Sequence, residues 1–483
     1  MRDQAYRAQS ALLQSGSSRA RRIALKERAL RAISAAICHT AAPRPQRICY
    51  RSPPRAPFAP RPLSELPAAA IVPRVRKAAL AFIFITVAID ILSFGVIIPV
   101  LPHLIERMVG GDISSAARWV GIFGTVFAAI QFIFSPIQGA LSDRYGRRPV
   151  ILLSNLGLGL DFILMALVNT LPLLFIGRVI SGITAASFTT ANAYIADVTP
   201  PEKRAKGYGL MGAAFGVGFV LGPALGGYLG GIDLRLPLYV SAGLALANFL
   251  YGYFILPESL PPERRSKRFD WKHASPLGAV QLLRSYPHVL PLALVVVLSN
   301  LAHYVLPSTF VLYADYRYGW GAQTVGYVLA AVGVCTAIVQ LGLVGKVVAR
   351  LGERRALLTG LVFGTVGFAI YGLAPTGPWF LAGIPVMAIW GIAGPSTQAL
   401  MTRTVDPAEQ GRLQGAVTSL ISLAGVFGPF VFASTFAAFI GPRASWHLPG
   451  AAYLLSAALL ATAWIVAWRS THAPAPAAAD ARA

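Results

Sequence analysis

Three ionisable residues stand inside long apolar stretches of the chain, where a charge is costly. They are Asp90 in TVAIDILSFG, Asp161 in LGLDFILMAL and Arg178 in GRVISG. A carboxylate at the centre of a bilayer costs about 2.5–3.5 kcal/mol on insertion scales, so it remains only where it faces water or a partner. A carboxylate near an arginine can gain and lose a proton as its surroundings change. These residues indicate a proton-binding site; a static ion pair that fixes helix packing is the alternative for Asp161 and Arg178.

Further polar residues lie in apolar stretches of the same kind. Thr86, Asp90 and Ser93 are spaced i, i+4 and i+7, which places them on one face of a helix. His303 belongs to another apolar stretch and titrates near neutral pH, so it is either a second proton carrier or a packing residue. The predicted proton-coupling and cavity-lining residues are Asp90, Gln131, Asp161, Arg178, His303, Gln340 and Gln398.

The segment GALSDRYGRRPV, residues 139–150, concentrates charge in a chain of which only 13% is charged. It lies between two apolar runs and predicts a loop of eight residues, 142–149. Gly146 permits a tight turn there, and Arg147 and Arg148 are too costly to enter a bilayer. On topology alone, these charges hold the loop on one side of a membrane.

Twelve apolar runs position these residues. The chain of 483 residues is 55% hydrophobic, and its mean hydropathy is +0.60. About 20 apolar residues cross a bilayer as a helix, because every backbone polar group must then be paired internally. We predict an all-α integral membrane protein with spans at 78–101, 118–141, 150–170, 172–195, 207–230, 236–256, 289–313, 323–345, 356–375, 377–400, 413–437 and 450–468.

The net charge of +23 is distributed unevenly. Residues 1–77 hold 14 Arg and 2 Lys against 3 acidic residues, or 16 − 3 = +13. The other basic clusters, DRYGRR, PEKRAK, PERRSKRFDWK and ARLGERR, fall in alternate loops. The positive-inside rule therefore places these loops and both termini in the cytoplasm. The alternation with apolar spans excludes a basic surface for nucleic acid.

The predicted domains follow from these composition changes. They are a basic, Pro-rich disordered extension at 1–77, a six-helix half at 78–256, a cytoplasmic linker at 257–288, a second six-helix half at 289–468 and a disordered tail at 469–483. The extension is interpreted as a disordered tail or as a start assigned too early, with a transit peptide as the alternative. Cys38, Cys49 and Cys335 form neither a disulfide framework nor a metal-binding spacing.

The two halves repeat with a fixed offset of 206 residues. Gly139 corresponds to Gly345, Gly146 to Gly352, and Gly222-Pro223 to Gly428-Pro429. A parallel repeat of this kind places a binding site between two halves that move against each other. The glycines of the fifth span form a smooth ridge for close helix packing, and Pro223 can bend that helix. The predicted packing and bending residues are Gly218, Gly222, Pro223, Gly226, Gly428 and Pro429.

These motifs resemble those of the major facilitator superfamily of secondary transporters. GALSDRYGRRPV is similar to the superfamily's loop motif between the second and third helices, GRVISGITAA to its fourth-helix motif, and GVGFVLGPALGG to the fifth-helix motif of drug/proton antiporters. Within the superfamily the chain is most similar to tetracycline/proton antiporters of Gram-negative bacteria. That likeness covers about residues 78–468 and rests on GVIIPVLPHL, LGLDFILMAL, ARLGERRAL and PSTQALMTRTVDPAEQGRLQG.

The resemblance implies roles for both groups of charges. It implies that Asp143 and an Arg of the loop form ion pairs that close the cytoplasmic side, with Asp197 as a partner. The implied gate comprises Gly139, Asp143, Arg144, Gly146, Arg147, Arg148 and Asp197. It also implies that Asp90, Asp161 and Arg178 serve substrate binding and proton coupling. The offset of 206 gives Val296, Gly367 and Ile384 as their counterparts. None of these can ionise, so the ionisable residues of the expected site are concentrated in the first half.

One departure from the antiporter pattern concerns the second half. Tetracycline antiporters usually carry a His in the eighth helix and an Asp in the ninth, and this chain has Thr336 and Gly364 there. His303 is the candidate replacement.

We therefore expect a proton-coupled exporter of an amphipathic compound, such as a tetracycline-like antibiotic, that acts as a monomer in the cell inner membrane without a cofactor or a metal. A symporter or importer of a metabolite or sugar with the same fold is the alternative, and a non-transporting receptor is a further one. The chain has no GxxxxGK[ST] loop for ATP and no catalytic cluster, which argues against an ATPase or another enzyme. The expected aromatic walls of the cavity are Phe94, Phe132, Tyr304, Phe310 and Trp390.

Overall fold

The computed structural model describes residues 72–185, 187–199, 204–266, 289–403, 405 and 410–471. Most of the predicted extension, of the predicted linker and of the predicted tail lies outside these residues. The helices Val72–Ile97 and Ala451–Ser470 include residues 72–77 of that extension and 469–470 of that tail. Within them every regular element is a helix. The α-helices are Val72–Ile97, Leu101–Met108, Ile113–Tyr145, Arg147–Leu167, Leu171–Thr184, Ser187–Val198, Arg204–Ile232, Leu236–Ile255, Leu290–His303, Val305–Tyr318, Ala322–Ile338, Val344–Leu373, Gly377–Ile389, Ala393–Arg403, Gln410–Ile440 and Ala451–Ser470.

These helices form twelve membrane spans. Eleven helical stretches of the described chain are long and apolar enough to cross a bilayer, and the longest, Ala322–Leu373, has 52 residues. A straight helix of that length would measure about 78 Å, far more than one bilayer. Its backbone turns at Gly352, where φ is 74° and ψ is 161°, so this stretch is the eighth and ninth spans. The predicted fold class, twelve transmembrane helices, is confirmed.

Several spans are built from two helices. The first breaks between Ile97 and Leu101, and the seventh is interrupted at Tyr304. The eighth contains a π-helical turn, Val339–Leu343, and the tenth a 3₁₀ turn, Trp390–Ile392. Broken helices free backbone groups inside the membrane, and such groups are tolerated only where protein or a cavity satisfies them.

The predicted eight-residue loop at 142–149 is wrong. The second and third spans are helical to Tyr145 and from Arg147, so Gly146 alone separates them. Its φ of 108° lies in the left-handed region that favours glycine. The polar residues on both sides continue the helices beyond the apolar runs because their side chains are paired there. Gly352, 206 residues later, makes the same kind of turn with a φ of 74°.

The opposite end of the second span begins at Asp112. The carboxylate accepts hydrogen bonds from the backbone N–H groups of Ser114 and Ser115, both at 3.1 Å. This is an N-cap, which satisfies donors that a helix start leaves unpaired. Hydrogen bonding to Ser115 lowers the pKa of Asp112 below its usual value.

The first and fifth spans touch backbone to backbone. Gly218 packs against Ile91, and Gly222 packs against Gly95. A Cβ added at Gly226 would overlap the carbonyl group of Val96. The three glycines thus form the smooth ridge expected from their spacing, and the ridge faces the first span.

Two of the span pairs that join the halves are related by the repeat. The second span contacts the eleventh, where a Cβ at Gly121 would lie 3.1 Å from the carbonyl oxygen of Pro429 and 2.7 Å from Ala433 Cβ. The eighth contacts the fifth, where a Cβ at Gly326 would overlap the carbonyl oxygen of Pro223. Pro223 and Pro429 are repeat counterparts. The fifth span and its counterpart, the eleventh, therefore each pack against the other half.

The interface between the halves is closed at one end and open at the other. We call the end with the turns at Gly146 and Gly352 the basic end, and the end with Asp112 and Gly319 the opposite end. Gly139 lies 18 residues (139 − 121) beyond Gly121, five turns along the same face, yet none of the described residues lies within 4 Å of a Cβ placed there. Gly216 in the fifth span is equally open. The halves therefore separate toward the basic end.

Candidate functional site

The Asp161 carboxylate and the Arg178 guanidinium meet inside the first half. Arg178 Nη2 lies 3.8 Å from Asp161 Oδ2, and the Ser181 hydroxyl donates to the same oxygen. Arg178 also donates to Ser181 Oγ and to Met165 Sδ, both at 2.9 Å. Asp161 is 1% exposed. The third and fourth spans thus hold one charged pair that the sequence analysis predicted and two polar partners that it did not.

This cluster retains unused hydrogen-bonding capacity. Asp161 Oδ1 and Arg178 Nε are buried without a hydrogen-bond partner among the described residues. Gly177 leaves the room for Oδ1, because a Cβ there would lie 2.9 Å from that oxygen. A purely structural ion pair gains most when every polar atom is satisfied. The free atoms indicate a pair that can also accept a proton or a ligand group.

Aromatic rings connect this pair to the first span. The Arg178 guanidinium lies over the Phe127 ring, 5.8 Å from its centroid. Phe127 stacks on Phe94 with centroids 6.1 Å apart, and the Phe94 side chain is 47% exposed. Phe310, expected as a cavity wall, is instead buried and stacked on Phe380 at 5.5 Å. The helix Val305–Tyr318 directs the Phe310 side chain into the core of the second half.

Asp90 lies in a separate cluster between the first, third and sixth spans. Asn248 Nδ2 donates to Asp90 Oδ1 and to the Thr86 carbonyl oxygen, both at 2.8 Å. With its amide nitrogen turned toward the carboxylate, Asn155 donates to both oxygens of Asp90 at 3.2 and 3.3 Å. Ser241 donates to the Ser93 carbonyl oxygen at 2.9 Å. The predicted polar face of the first span therefore packs on the sixth span.

The third span links the two clusters without joining them. Asn155 and Asp161 are six residues apart (161 − 155), about 9 Å along a helix. Asp90 is therefore not brought beside Arg178 as one triad. Sequence reasoning found the ionisable residues but missed Asn155, Asn248 and Ser181, since a polar residue in one apolar span carries no signal of its partner in another.

In the second half, His303 lies where two broken spans meet. Its ring centroid is 5.8 Å from that of Trp390, which begins the 3₁₀ turn of the tenth span. Gln340, in the π turn of the eighth span, donates to the Gly391 carbonyl oxygen at 3.2 Å. It thereby satisfies a backbone group that the turn leaves free. Gln131 and Gln398 are half-buried in the second and tenth spans.

Gly364 occupies a tightly filled position in the ninth span. A Cβ there would lie 2.7 Å from Leu460 Cδ1 and 2.8 Å from Trp390 Cδ1. A side chain at this position would have to displace Leu460 or Trp390, and the ring of His303 lies beside the Trp390 ring.

At the basic end, Arg147 joins three spans. Its guanidinium pairs with Asp143 at 2.6 Å and with Asp197 at 3.1 Å, and it donates to Ser142 Oγ at 2.6 Å. Arg144 lies over the Tyr145 ring, 5.4 Å from its centroid. These implied gate residues are thus brought together within the first half, although the interface between the halves is open at this end.

Glu258 completes this cluster and was missed. Its carboxylate accepts from the backbone N–H groups of Arg147 at 2.9 Å and Arg148 at 3.3 Å, at the start of the third span. A carboxylate is stabilised at a helix N-terminus. The Pro257 carbonyl oxygen accepts from the Tyr194 hydroxyl at 2.9 Å, and the Ser266 N–H donates to the Asp143 carbonyl oxygen at 3.0 Å. Residues 257–266 of the predicted linker therefore pack on the first half.

The second half carries an equivalent ion pair with reversed charges. Arg403 Nη2 lies 2.5 Å from Glu353 Oε1. Adding 206 to Arg147 gives Glu353, and adding 206 to Asp197 gives Arg403. The pair therefore occupies equivalent positions in both halves, with base and acid exchanged.

Comparison with known proteins agrees with this geometry. The model of the Major Facilitator Superfamily matches residues 83–429 and, in a second alignment, 317–482. The chain belongs to the Major Facilitator Superfamily. A class C tetracycline resistance protein of Escherichia coli is 37% identical over 382 residues, covering 79% of this chain and 94% of that protein. Multidrug resistance protein 2 of Bacillus subtilis (strain 168) is 28% identical, covering 70% of this chain and 84% of that protein.

Solved structures of this superfamily share the fold. A bacterial homologue of the human lysosomal transporter Spinster, in an inward-facing and unoccupied conformation, has a TM-score of 0.66 at 18% identity. That alignment covers 84% of this chain and all of the other. At this identity the likeness shows the fold alone.

Proposed function

We propose that this superfamily member exports an amphipathic organic compound of the tetracycline class in exchange for protons. The observation that carries the proposal is the Asp161–Arg178 pair, buried in the first half with spare hydrogen-bonding atoms. The similar proteins that support the proposal are tetracycline resistance proteins, such as the class C protein of Escherichia coli. The fifth-span glycine-proline motif argues against the importer alternative.

The proposed coupling is a competition within one cluster. A substrate group that donates a hydrogen bond to Asp161 Oδ1 beside Arg178 needs this carboxylate in its charged form. A proton on Asp161 therefore weakens substrate binding, and bound substrate favours the release of the proton. Asp90, in the first span, is held by Asn155 and Asn248 and forms a second proton site, which Asn155 links to the third span. Each ligand thus displaces the other, which is the requirement for exchange.

The proposed movement is alternating access. The basic end faces the cytoplasm, since its loops carry the positive charge, and it is open in this structure. Substrate enters there between the halves. Closure of the basic end and opening of the opposite end then release it outside and admit a proton. We place the protein in the inner membrane as a monomer.

Transport in everted membrane vesicles tests this proposal. Vesicles with an acidic interior should accumulate tetracycline when they contain the wild-type chain, because protons leave as the drug enters. Asp161→Asn should abolish this accumulation. A panel of other hydrophobic drugs, assayed in parallel, defines the substrate class.

A matched control and a contrary result complete the test. Asp233→Asn changes a carboxylate in the short turn after the fifth span and should leave uptake unchanged. Uptake that needs an alkaline interior, or that proceeds equally in Asp161→Asn, contradicts the exporter and its coupling site. A drug-susceptibility panel in an efflux-deficient host, with and without Asp90→Asn, extends the test to the second carboxylate.

A further inference from the structure

Three side chains capable of binding a metal converge at the opposite end of the interface. His103 and Glu106 lie on the short helix Leu101–Met108 that completes the first span, and Asp315 lies near the end of the seventh. His103 Nδ1 is 3.3 Å from Glu106 Oε2 and 3.8 Å from Asp315 Oδ2. One ligand atom from each residue lies within 4.8 Å of the other two. The cluster therefore joins the two halves.

The imidazole is buried and only partly satisfied. The His103 side chain is 10% exposed, against 18% for Glu106 and 26% for Asp315. Its Nε2 has no hydrogen-bond partner among the described residues, while Nδ1 is directed at both carboxylates. Two carboxylates beside one imidazole carry excess negative charge unless a cation is shared between them.

We propose that His103, Glu106 and Asp315 bind a zinc-type divalent cation. Two donors bound at about 2.1 Å to a tetrahedral zinc ion lie about 3.4 Å apart, close to the separations of His103 Nδ1 from its two neighbours. One nitrogen and two oxygen donors suit zinc better than magnesium or calcium, which prefer oxygen alone. The fourth position is left for water.

The site is complete only when the opposite end is closed. Two ligands come from the first half and one from the second, so opening that end separates Asp315 from the others. A ligand favours the conformation that it binds better, and zinc therefore favours the conformation with the basic end open. The binding itself does not depend on the proposed drug export; its effect on transport does.

The sequence shows no metal-binding motif here because the three ligands are not close together in the chain. His103 and Glu106 are three residues apart, and Asp315 follows in the other half. Only packing of the first span against the seventh brings them together.

Isothermal titration calorimetry of the full-length protein tests the site. After treatment with a chelator, the wild type should bind one zinc ion per chain in a saturable transition. Asp315→Asn and Glu106→Gln should lose this transition, and so should His103→Gln. His447→Gln is the matched control, since His447 is an exposed histidine at the same end, and it should bind as the wild type does.

Two results would overturn the site. Zinc binding that is unchanged in Asp315→Asn would place the ion elsewhere on the chain. No saturable binding by the wild type would show that these three side chains contact one another without a bound metal. In reconstituted vesicles, zinc should also slow transport by the wild type more than transport by Asp315→Asn. If neither chain transports any drug, the proposed function fails while the calorimetric result stands.

Discussion

The Asp161–Arg178 pair raises the question whether a buried ion pair fixes structure or carries protons. Both roles require the same two residues, and removing one partner alone leaves an uncompensated buried charge. That loss costs about 3–5 kcal/mol. A single substitution therefore cannot separate the roles, because misfolding and lost coupling both stop transport.

A double variant in which both residues are neutral separates the structural role from the proton-carrying role. Asp161→Asn combined with Arg178→Gln removes both charges and keeps groups of similar shape, so the double variant should fold far better than Arg178→Gln alone. It should still fail to take up drug in response to a pH gradient, since the carboxylate at which proton and substrate compete is gone. Thermal unfolding in detergent and vesicle uptake measure the two effects. Normal proton-driven uptake by the double variant would establish a purely structural pair.

The buried amide beside Asp90 gives a second prediction at this scale. Asn248→Leu removes hydrogen bonds to a carboxylate and to the Thr86 carbonyl oxygen, and a hydrogen bond to a charged group contributes about 1.5–3 kcal/mol. Ser241→Ala removes one donor to one carbonyl oxygen on the same pair of spans. We expect a clearly larger drop in unfolding temperature for Asn248→Leu. Equal drops would show that Asn248 does not support Asp90.

Ionisable residues could be predicted from the sequence, and their partners could not. Asp90, Asp161 and Arg178 are conspicuous because apolar residues surround them. Asn155 and Asn248 are less costly in a membrane, and no spacing relates residues on different helices. Only the packing of the third and sixth spans shows that Asp90 and Asp161 belong to separate clusters.

At the scale of helices, close packing of the first and fifth spans depends on Gly226. A Cβ there would overlap the Val96 carbonyl group, so Gly226→Ala forces the two backbones apart. Overpacking of this kind costs about 1–3 kcal/mol. Gly216→Ala, on the same helix, meets open space and should be tolerated. Thermal unfolding of the two variants compares them, and equal stability would contradict the close contact.

The reversed ion pair makes a prediction about the repeat. Arg403→Glu places two acids together, and adding Glu353→Arg restores an opposite pair in the order used by Arg147 and Asp197. Because Arg403 is 70% exposed, the single reversal should cost about 1 kcal/mol or less. Thermal unfolding should show that the double variant regains most of this. Lys346→Glu is the control for net charge, and a double variant no better than Arg403→Glu would exclude the pairing.

The sequence predicted the helices more reliably than their ends. Apolar length identified every span, and the offset of 206 related the turns at Gly146 and Gly352. The second and third spans nevertheless continue into their charged residues, because Asp143, Asp197 and Glu258 pair with Arg147 or cap its helix. Hydropathy assigns such residues to a loop, since it does not include pairing between distant elements.

For the whole molecule, the decisive feature is the asymmetry of the interface between the halves. Gly121 and Gly139 lie on one face of the second span. Gly121, near the opposite end, contacts the other half, whereas Gly139, near the basic end, contacts none of the described residues through that face. The repeat predicts two similar halves, but it does not predict which end is closed. That choice depends on contacts such as Gly121 with Ala433, which join residues with no relation in sequence.

Alternating access predicts that the two ends change in opposite directions. In a background with the three native cysteines replaced by serine, Gly216→Cys should react rapidly with a membrane-impermeant maleimide applied to the basic end, because that position is open. Ala322→Cys, 6% exposed in the closed part of the interface, should react slowly with reagent applied to the opposite end. A pH gradient with transported drug should slow the first reaction and accelerate the second. Changes in the same direction at both positions would contradict alternating access and favour a uniformly loosened bundle.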